Sequence, residues 1–258
     1  KIGFTYRGDK SRAADALSRL PSNAVAIRTD LLKADNAKQL VLDAETALGG
    51  PIDILINNAG ILRDKSFSKM EMADFELVVD VHLMGTVKAT KACWPIMKEQ
   101  GYGRIMVTAS SSGLYGNFGQ TNYGAAKLGV IGFINTLKLE GQKDNIRCNG
   151  LAPVAYTRMT ENLMPPEAEQ MLTPESVTPG VMVLVSEDAP TGCILCAGAG
   201  VFATAQIMES DGLYLGREGL TAEKVKENWD AITDMSKAKA FFMGGEQTGK
   251  FFEKASGK

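Results

Sequence analysis

Ser110, Tyr123 and Lys127 are residues whose types and spacing could do chemistry together, and all three fall within SSSGLYGNFGQTNYGAAK, residues 110–127. The run GAAKLGVIGFINTLKLE reads as a helix, on which Tyr123 and Lys127, four positions apart, share a face. A cation beside a phenol favours phenolate, so Lys127 is expected to lower the Tyr123 pKa from its usual value of about 10. That would give a proton donor and acceptor able to work near neutral pH. Ser110 follows the strand-like run RIMVTA and can return in space to hydrogen-bond the same substrate oxygen. A serine, a tyrosine and a lysine around one oxygen suit a carbonyl being reduced or an alcohol being oxidised. Tyr-x-x-x-Lys is a short pattern that any helix can carry. Its weight comes from the serine thirteen positions before the tyrosine, the strand–loop–helix setting, and the motif Asn57-Asn58-Ala59-Gly60 upstream.

The elements that must position these residues alternate along the chain. KIGFTYRG, AVAIRTD and DILINNAG read as strands, with DKSRAADALSRL and ADNAKQLVLDAETALG as amphipathic helices between them. MADFELVVDVHLMGTVKATKACWPIMKEQ is one long helical pattern, and NIRCNGLAP is a further strand. SVTPGVMVLVSED follows as a helix and GCILCAGAGVFA as a last strand. Strands alternating with helices imply an α/β fold, a doubly wound parallel sheet of the Rossmann type. Ligands bind such sheets beyond the carboxyl ends of the strands. Asp30, the Asn58–Gly60 turn and Ser110 all fall at such ends.

Net charge is −2 over 258 residues, so no basic field argues for nucleic acid. No apolar run reaches the roughly 18 residues of a membrane span. The four cysteines do not read as a disulfide framework in a chain of this length, which fits a soluble protein of a reducing compartment, cytoplasm or organelle matrix. Cys193 and Cys196 form a CxxC, but GCILCAGAG has the character of a buried strand, so the pair reads as packing rather than as a metal or redox site.

Taken together, Ser110, the Tyr123-x-x-x-Lys127 pair and Asn57–Gly60 resemble the short-chain dehydrogenase/reductase family, over roughly residues 1–205. The resemblance implies that Ser110, Tyr123 and Lys127 are catalytic, that Tyr123 and Lys127 also contact a nicotinamide cofactor, and that Lys127 holds the nicotinamide ribose hydroxyls. It places Asn58, Ala59 and Gly60 against the adenosine-side ribose, and Asp30 with Leu31 near the adenine. APVAYTRMT resembles the family's Pro-Gly-x-x-x-Thr segment, one residue shorter and with Val154 for the glycine; it implies cofactor contacts from Pro153, Ala155 and Thr157. The region from Arg158 to Pro179 corresponds to the substrate lid, where Met159, Met164 and Met171 either line an adaptable apolar pocket or pack as ordinary helix residues. The family usually carries an asparagine where this chain has His82, its one histidine; a lone histidine is more often structural. Relatives of this kind are dimers or tetramers joined through two long helices, here about 74–99 and 125–140.

NNAGILRDKSFSKM, VHLMGT and YGNFGQTNY, with the extension after the last strand, narrow the resemblance to (3R)-hydroxyacyl-CoA dehydrogenase units of multifunctional β-oxidation enzymes. Acetoacetyl-CoA reductases and 3-oxoacyl-carrier-protein reductases share parts of the same stretches. All interconvert 3-oxoacyl and 3-hydroxyacyl thioesters, so an acyl thioester on coenzyme A or acyl-carrier protein is the implied substrate. NAD enzymes place an acid at the end of the second strand, for the ribose 2′-hydroxyl, and NADP enzymes an arginine. Here that place holds Thr5, Tyr6 and Arg7, with Lys10 and Arg12 following. NADP(H) is therefore favoured, with Arg7 as its contact. Asp9 is the counter-signal for NAD(H), and a solvated helix start is the plain alternative for the bases.

The family's opening strand and its glycine-rich turn are missing from these residues. That unit, of about 30 residues, would lie between the strands KIGFTYRG and DILINNAG. Without it two parallel edges would be left with unpaired backbone groups. A further strand, from upstream or from another chain, is therefore expected. Residues 206–258 read as a C-terminal extension, with a helix over LTAEKVKENWDAITDM capped by Thr221 and a polar, partly ordered tail over GGEQTGKFFEKASGK. The competing class is a dehydrogenase fold kept as a structural or assembly subunit, argued by the missing glycine turn, His82 and the tail. Retention of all three of Ser110, Tyr123 and Lys127 argues for the enzyme.

Overall fold

The computed structural model describes residues 1–30, 32, 36–161 and 164–257. It divides into two compact units, Lys1–Thr204 and Ala205–Lys258. The first begins with β1 (Gly3–Tyr6), α1 (Lys10–Ser18), β2 (Val25–Arg28), α2 (Asn36–Leu48) and β3 (Ile54–Asn57). Then come α3 (Met72–Val79), α4 (Gly85–Gln100), β4 (Gly103–Thr108), α5 (Ser111–Tyr115), α6 (Thr121–Glu140) and β5 (Ile146–Pro153). It closes with α7 (Ala168–Met171), α8 (Thr178–Leu184), β6 (Ile194–Gly198) and β7 (Val201–Ala205).

β3, β4, β5 and β6 pair in parallel, and β7 lies beside β6 in a five-stranded sheet of order β3-β4-β5-β6-β7. β1 and β2 form a separate two-stranded parallel sheet. α2 packs on β1, on β2 and on α4, and α4 packs on β3 and β4, so helices hold the two sheets in one unit. On β4 the residues Gly103 to Val107 are all buried, as a central parallel strand requires. On β3 the outward residues Ile54 and Ile56 are 43% and 45% exposed, which leaves one face of that strand uncovered. A parallel strand in the interior of a doubly wound sheet would be buried on both faces, so this part of the fold is open where the motif analysis expects a further strand and helix.

The core beneath the site is built on β4, β5 and α6. Ile105, Val107, Val130, Ile131, Ile134 and Cys148 are all buried to 1% or less. Each large aliphatic side chain removed from water in this way contributes about 2 kcal/mol. Gly150 on β5 is required by close packing, since a Cβ there would lie 2.8 Å from Ile131 Cδ1. Arg104 is 1% exposed yet has no carboxylate in its hydrogen bonds. Its Nε donates to Ser186 O at 2.8 Å, Nη1 to Gly103 O and Asn145 O at 2.8 Å each, and Nη2 to Glu187 O at 2.5 Å. The guanidinium stacks on Tyr102, 4.1 Å from the ring centre. It thus ties the start of β4 to the turns before β5 and after α8.

Four stretches differ from the reading of the sequence. The long helical pattern over 72–100 is interrupted by a π-helical turn at Asp80–Met84, which separates α3 from α4. The last strand is two strands, because Ala199 and Gly200 adopt positive φ, 51° and 74°, and turn the chain. In the second unit, β8 (Met208–Glu209) pairs antiparallel with β9 (Lys239–Ala240). The helical run there is two short helices, α9 (Ala222–Glu227), capped by the Thr221 side chain, and α10 (Trp229–Thr233). The expected tail is a regular helix, α11 (Gly244–Ser256), held by Lys250 on Glu209 and Lys254 on Asp211, each at 2.7 Å.

Arg104→Met would leave the carbonyls of Ser186, Glu187 and Asn145 without this donor. The substitution is expected to destabilise the first unit by about 3 kcal/mol, read as a lowered midpoint in urea unfolding followed by far-UV circular dichroism.

Candidate active site

Ser110 directly follows β4 and Ala109. Its backbone is extended at φ −165°, and its Oγ accepts from Ser112 N at 3.2 Å as the N-cap of α5. α5 then lies across the start of α6. The approach is close because Gly113 has no side chain: a Cβ there would sit 2.8 Å from Lys127 Cβ and 2.9 Å from Leu128 N. This contact brings the cap serine beside the first turns of α6, where Tyr123 and Lys127 occupy one face.

Lys127 is 4% exposed. Its Nζ donates to Thr108 O at the end of β4, at 2.5 Å. Burial pulls its pKa down to about 8. The ammonium lies 5.5 Å from the centre of the Tyr123 ring. The expected lowering of the Tyr123 pKa is not what the structure has. Burial raises it, a hydrogen-bond contribution from Ser110 brings it partly back, and the nearby Asp64 carboxylate raises it further. The reason is geometric: the lysine is turned onto a backbone carbonyl rather than onto the phenol oxygen. Tyr123 in this state is a neutral phenol.

Asn58 stands at the end of β3, and its Oδ1 accepts from Thr108 Oγ1 at 2.9 Å. Ala59 and Gly60 continue the turn, which packs on His82. His82 is 3% exposed, its Nε2 is 3.0 Å from Ile61 N and 2.8 Å from Ile61 O, and its ring meets Tyr123 edge to face at 5.1 Å and 87°. Its pKa falls to about 4, first through burial and then through the Lys127 charge.

The other sequence candidates lie farther out. Arg7 and Asp30 follow β1 and β2, on the smaller sheet, away from the triad's sheet. Arg7 is exposed, and its carbonyl accepts from Arg28 Nε at 3.2 Å. Asp30 Oδ1 accepts from Leu32 N at 3.2 Å; Leu31 lies outside the described residues. Asp9, the counter-signal on cofactor choice, is the N-cap of α1, accepting from Arg12 N at 3.1 Å and from the Ser11 hydroxyl at 2.7 Å. Pro153 ends β5 at the same carboxyl edge as Ser110. Beyond it Thr160 Oγ1 donates to Ala155 O at 2.7 Å and receives Thr157 N at 2.8 Å, while Thr157 Oγ1 accepts from Met159 N at 3.2 Å. Met159 and Met171 are 43% and 68% exposed.

Motif reading passed over the residues that hold the site still. Asn122, fully buried, donates to Arg63 O at 3.0 Å and accepts from Tyr123 N at 2.7 Å. Gln120, also buried, donates to Asp64 at 2.6 Å and accepts from Asn117 at 3.1 Å. These bonds staple the loop after Gly60 to the start of α6. The signal was present in FGQTNY, where two amides sit against the first helical turn.

A nicotinamide cofactor fits the triad end of this arrangement on its own geometry. Lys127 carries three N–H donors with one directed at Thr108 O, and the turn of Asn58, the cap at Ser110 and the end of β5 share one sheet edge. The glycine-rich turn that would hold a pyrophosphate is not among these residues.

Burying the Lys127 ammonium has a cost that depends on pH. Its folded-state pKa of about 8 lies below the unfolded value of about 10.4. Between those values the unfolded chain binds more protons, so this group's contribution to stability improves as pH rises through the window. Lys127→Met should therefore stabilise the fold by about 1–2 kcal/mol at pH 7 and lose that advantage toward pH 10, measured by urea unfolding at the two pH values.

A family profile described as short chain dehydrogenase matches residues 4–168. The peroxisomal multifunctional enzyme type 2 of Mus musculus is 44% identical over 257 residues, covering 97% of this chain and 34% of that protein. A 3-oxoacyl-[acyl-carrier-protein] reductase of Synechocystis is 39% identical over 170 residues, 63% of this chain and 67% of that protein. The solved structure of full-length peroxisomal multifunctional enzyme type 2 from Drosophila melanogaster superposes with a TM-score of 0.79 at 36% identity, covering 94% of this chain and 43% of that one. The chain spans between about a quarter and about a half of the length of the multifunctional enzymes it matches. With Ser110, Tyr123 and Lys127 gathered at the carboxyl edge of a parallel sheet, the chain belongs to the short-chain dehydrogenase family.

Proposed function

We propose that this chain interconverts 3-oxoacyl and 3-hydroxyacyl thioesters as a nicotinamide-dependent oxidoreductase. The observation that carries the reading is the gathering of a protonated Tyr123, the cap serine Ser110 and the buried ammonium of Lys127 at one sheet edge. The names of the relatives supply the substrate class: a reductase of 3-oxoacyl carrier-protein thioesters, an acetoacetyl-CoA reductase and peroxisomal multifunctional enzymes.

In the reductive direction the substrate carbonyl at C3 accepts hydrogen bonds from Ser110 Oγ and Tyr123 Oη. Tyr123 transfers its proton to that oxygen as charge develops on it, and Ser110 stabilises the same charge. Lys127 lies 5.5 Å from the ring centre, and its remaining donors would hold the nicotinamide ribose. The cofactor supplies the hydride, carried at nicotinamide C4. Asn58, Ala59, Gly60, Pro153, Ala155 and Thr157 line its path along the sheet edge, and Arg7 and Asp30 mark the adenosine end on the smaller sheet.

NADP(H) is the preferred form in this reading. The acid that could have favoured NAD(H), Asp9, is engaged as a helix cap, whereas Arg7 is exposed at the strand end where a 2′-phosphate would lie. A strand and helix carrying the glycine-rich turn would complete the site beside β1 and β3. The separate sheets and the uncovered Ile54 and Ile56 support that reading.

The test is fluorescence titration of the natural full-length protein with NADPH and NADH, followed by addition of acetoacetyl-CoA. NADPH binding and consumption are expected, with NADH weaker; absence of both binding and turnover would remove the proposed activity. Tyr123→Phe should keep cofactor binding and lose turnover by a factor of about 1,000 or more, the loss of proton transfer being joined by the loss of the phenol that orients the substrate oxygen. Wild-type rates in that variant would overturn the role given to Tyr123.

A further inference from the structure

His82 is where the geometry carries more than the triad requires. The π-helical turn Asp80–Met84 widens the helix by one residue, and Thr86 Oγ1 caps the His82 carbonyl at 2.7 Å. The widened turn sends the imidazole into the gap between the turn after β3 and α6. One ring edge is against Ile61, where Nε2 lies within hydrogen-bond reach of both the backbone N–H and the carbonyl. Nε2 can serve one of these at a time, according to tautomer. Nδ1 is buried and has no hydrogen-bond partner among the described residues. The ring also stands edge to face with Tyr123, a favourable arrangement for aromatic pairs.

Gly60 shows how tight the fit is. A Cβ at Gly60 would lie 2.4 Å from His82 Cε1, 3.1 Å from Nδ1 and 3.2 Å from Nε2. Gly60 does not have positive φ, so its backbone conformation does not demand glycine. The imidazole does. The pair is a lock: the ring fills the volume that any other residue at position 60 would need.

We propose that His82 is the positioning residue of Tyr123, a wedge between the Gly60–Ile61 turn and the phenol ring that fixes the spacing between the cofactor-side turn and the proton donor. The role given to Tyr123 rests on the activity proposed above; the wedge itself does not. The imidazole acts by volume, ring contact and its bond to Ile61, without exchanging a proton. Its removal would let the Tyr123 ring turn about its χ angles and let the Asn58–Ile61 turn settle inward. Both would misplace groups that must lie within a fraction of an ångström of the reacting atoms.

The experiment is a four-protein cycle in the full chain: parent, Gly60→Ala, His82→Ala and the double variant, with His82→Phe as a variant that keeps the ring volume. Thermal unfolding reads the lock. Gly60→Ala is expected to lower the unfolding temperature markedly in the parent and little in the His82→Ala background; an equal drop in both backgrounds would overturn the proposal. Kinetics with acetoacetyl-CoA read the positioning. His82→Ala should lower kcat on the order of a hundredfold while KM changes by less than about threefold, and His82→Phe should recover a large part of the loss. An unchanged kcat in folded His82→Ala would equally overturn it. Tyrosine 13Cζ resonances, assigned through Tyr123→Phe, give a readout that needs no turnover. The groups facing the phenol are Ser110, Lys127 and Asp64 as well as the neutral imidazole, so removing the imidazole should expose the ring and move its titration toward the ordinary tyrosine value. No change in that titration would count against the wedge. A parent without turnover on acetoacetyl-CoA would count against the proposed activity, and the thermal cycle and the resonances would still decide on His82.

Discussion

The buried ammonium of Lys127 is the constraint on which the site depends. A charge 4% exposed with a backbone carbonyl as its acceptor is unfavourable in isolation, because desolvation is not balanced by a carboxylate. The fold holds it there through contacts that do not involve the charge. Gly113 lets α5 press on the lysine's own stem, α6 is anchored beneath it by Val130, Ile131 and Ile134, and Thr108 O waits at the end of β4. A lysine held this way has its pKa moved toward neutrality. The stability given up at position 127 would be the cost of the role proposed for it.

From Lys127 the contacts run in a closed circuit. Thr108 accepts the lysine through its carbonyl and donates to Asn58 through its hydroxyl. The turn continues to Ile61, which bonds to His82; His82 meets Tyr123; and Tyr123 is one helical turn from Lys127. Four separate elements, β3, β4, the π-helical turn and α6, meet at this ring of contacts. Such a circuit restricts Tyr123 and Lys127 from several sides at once, so a disturbance at one link reaches the Tyr123 phenol through a neighbour rather than through the solvent.

The parts of this arrangement that could be read from sequence are those set by local rules. Tyr123 and Lys127 sit four apart on a periodic helix, RIMVTA has the character of a central strand, and Thr221 caps the helix that follows it. Ser110 could be placed because it lies just past a strand. What could not be read depends on contacts between distant segments or on small changes of register. The π-helical turn at 80–84 adds one residue to a helix without changing its apolar pattern, so the direction of His82 was invisible. The raised pKa of Tyr123 follows first from its burial and then from the Asp64 carboxylate, while Lys127 turns to Thr108 O, a choice made by packing across nineteen residues. The tail over 244–258 looked polar because its helix is steadied by lysines reaching back to Glu209 and Asp211, which no local pattern announces. The division of the last strand turned on Ala199, an ordinary residue in a left-handed conformation.

The separation of the two sheets has a consequence for how such a protein can change over generations. The groups proposed to handle the substrate oxygen, Ser110 and Tyr123, stand between β4 and α5 and on α6. The residues at the ends of β1 and β2, proposed above for the adenosine end, are carried by a different sheet, joined to the first through helices. Substitutions at Arg7 or Asp30 are therefore insulated from the packing that fixes Lys127 and Tyr123. On the assignment proposed above, cofactor preference would be free to drift, or to be re-engineered, as an almost independent trait, while the geometry around Tyr123 and Lys127 would be inherited intact.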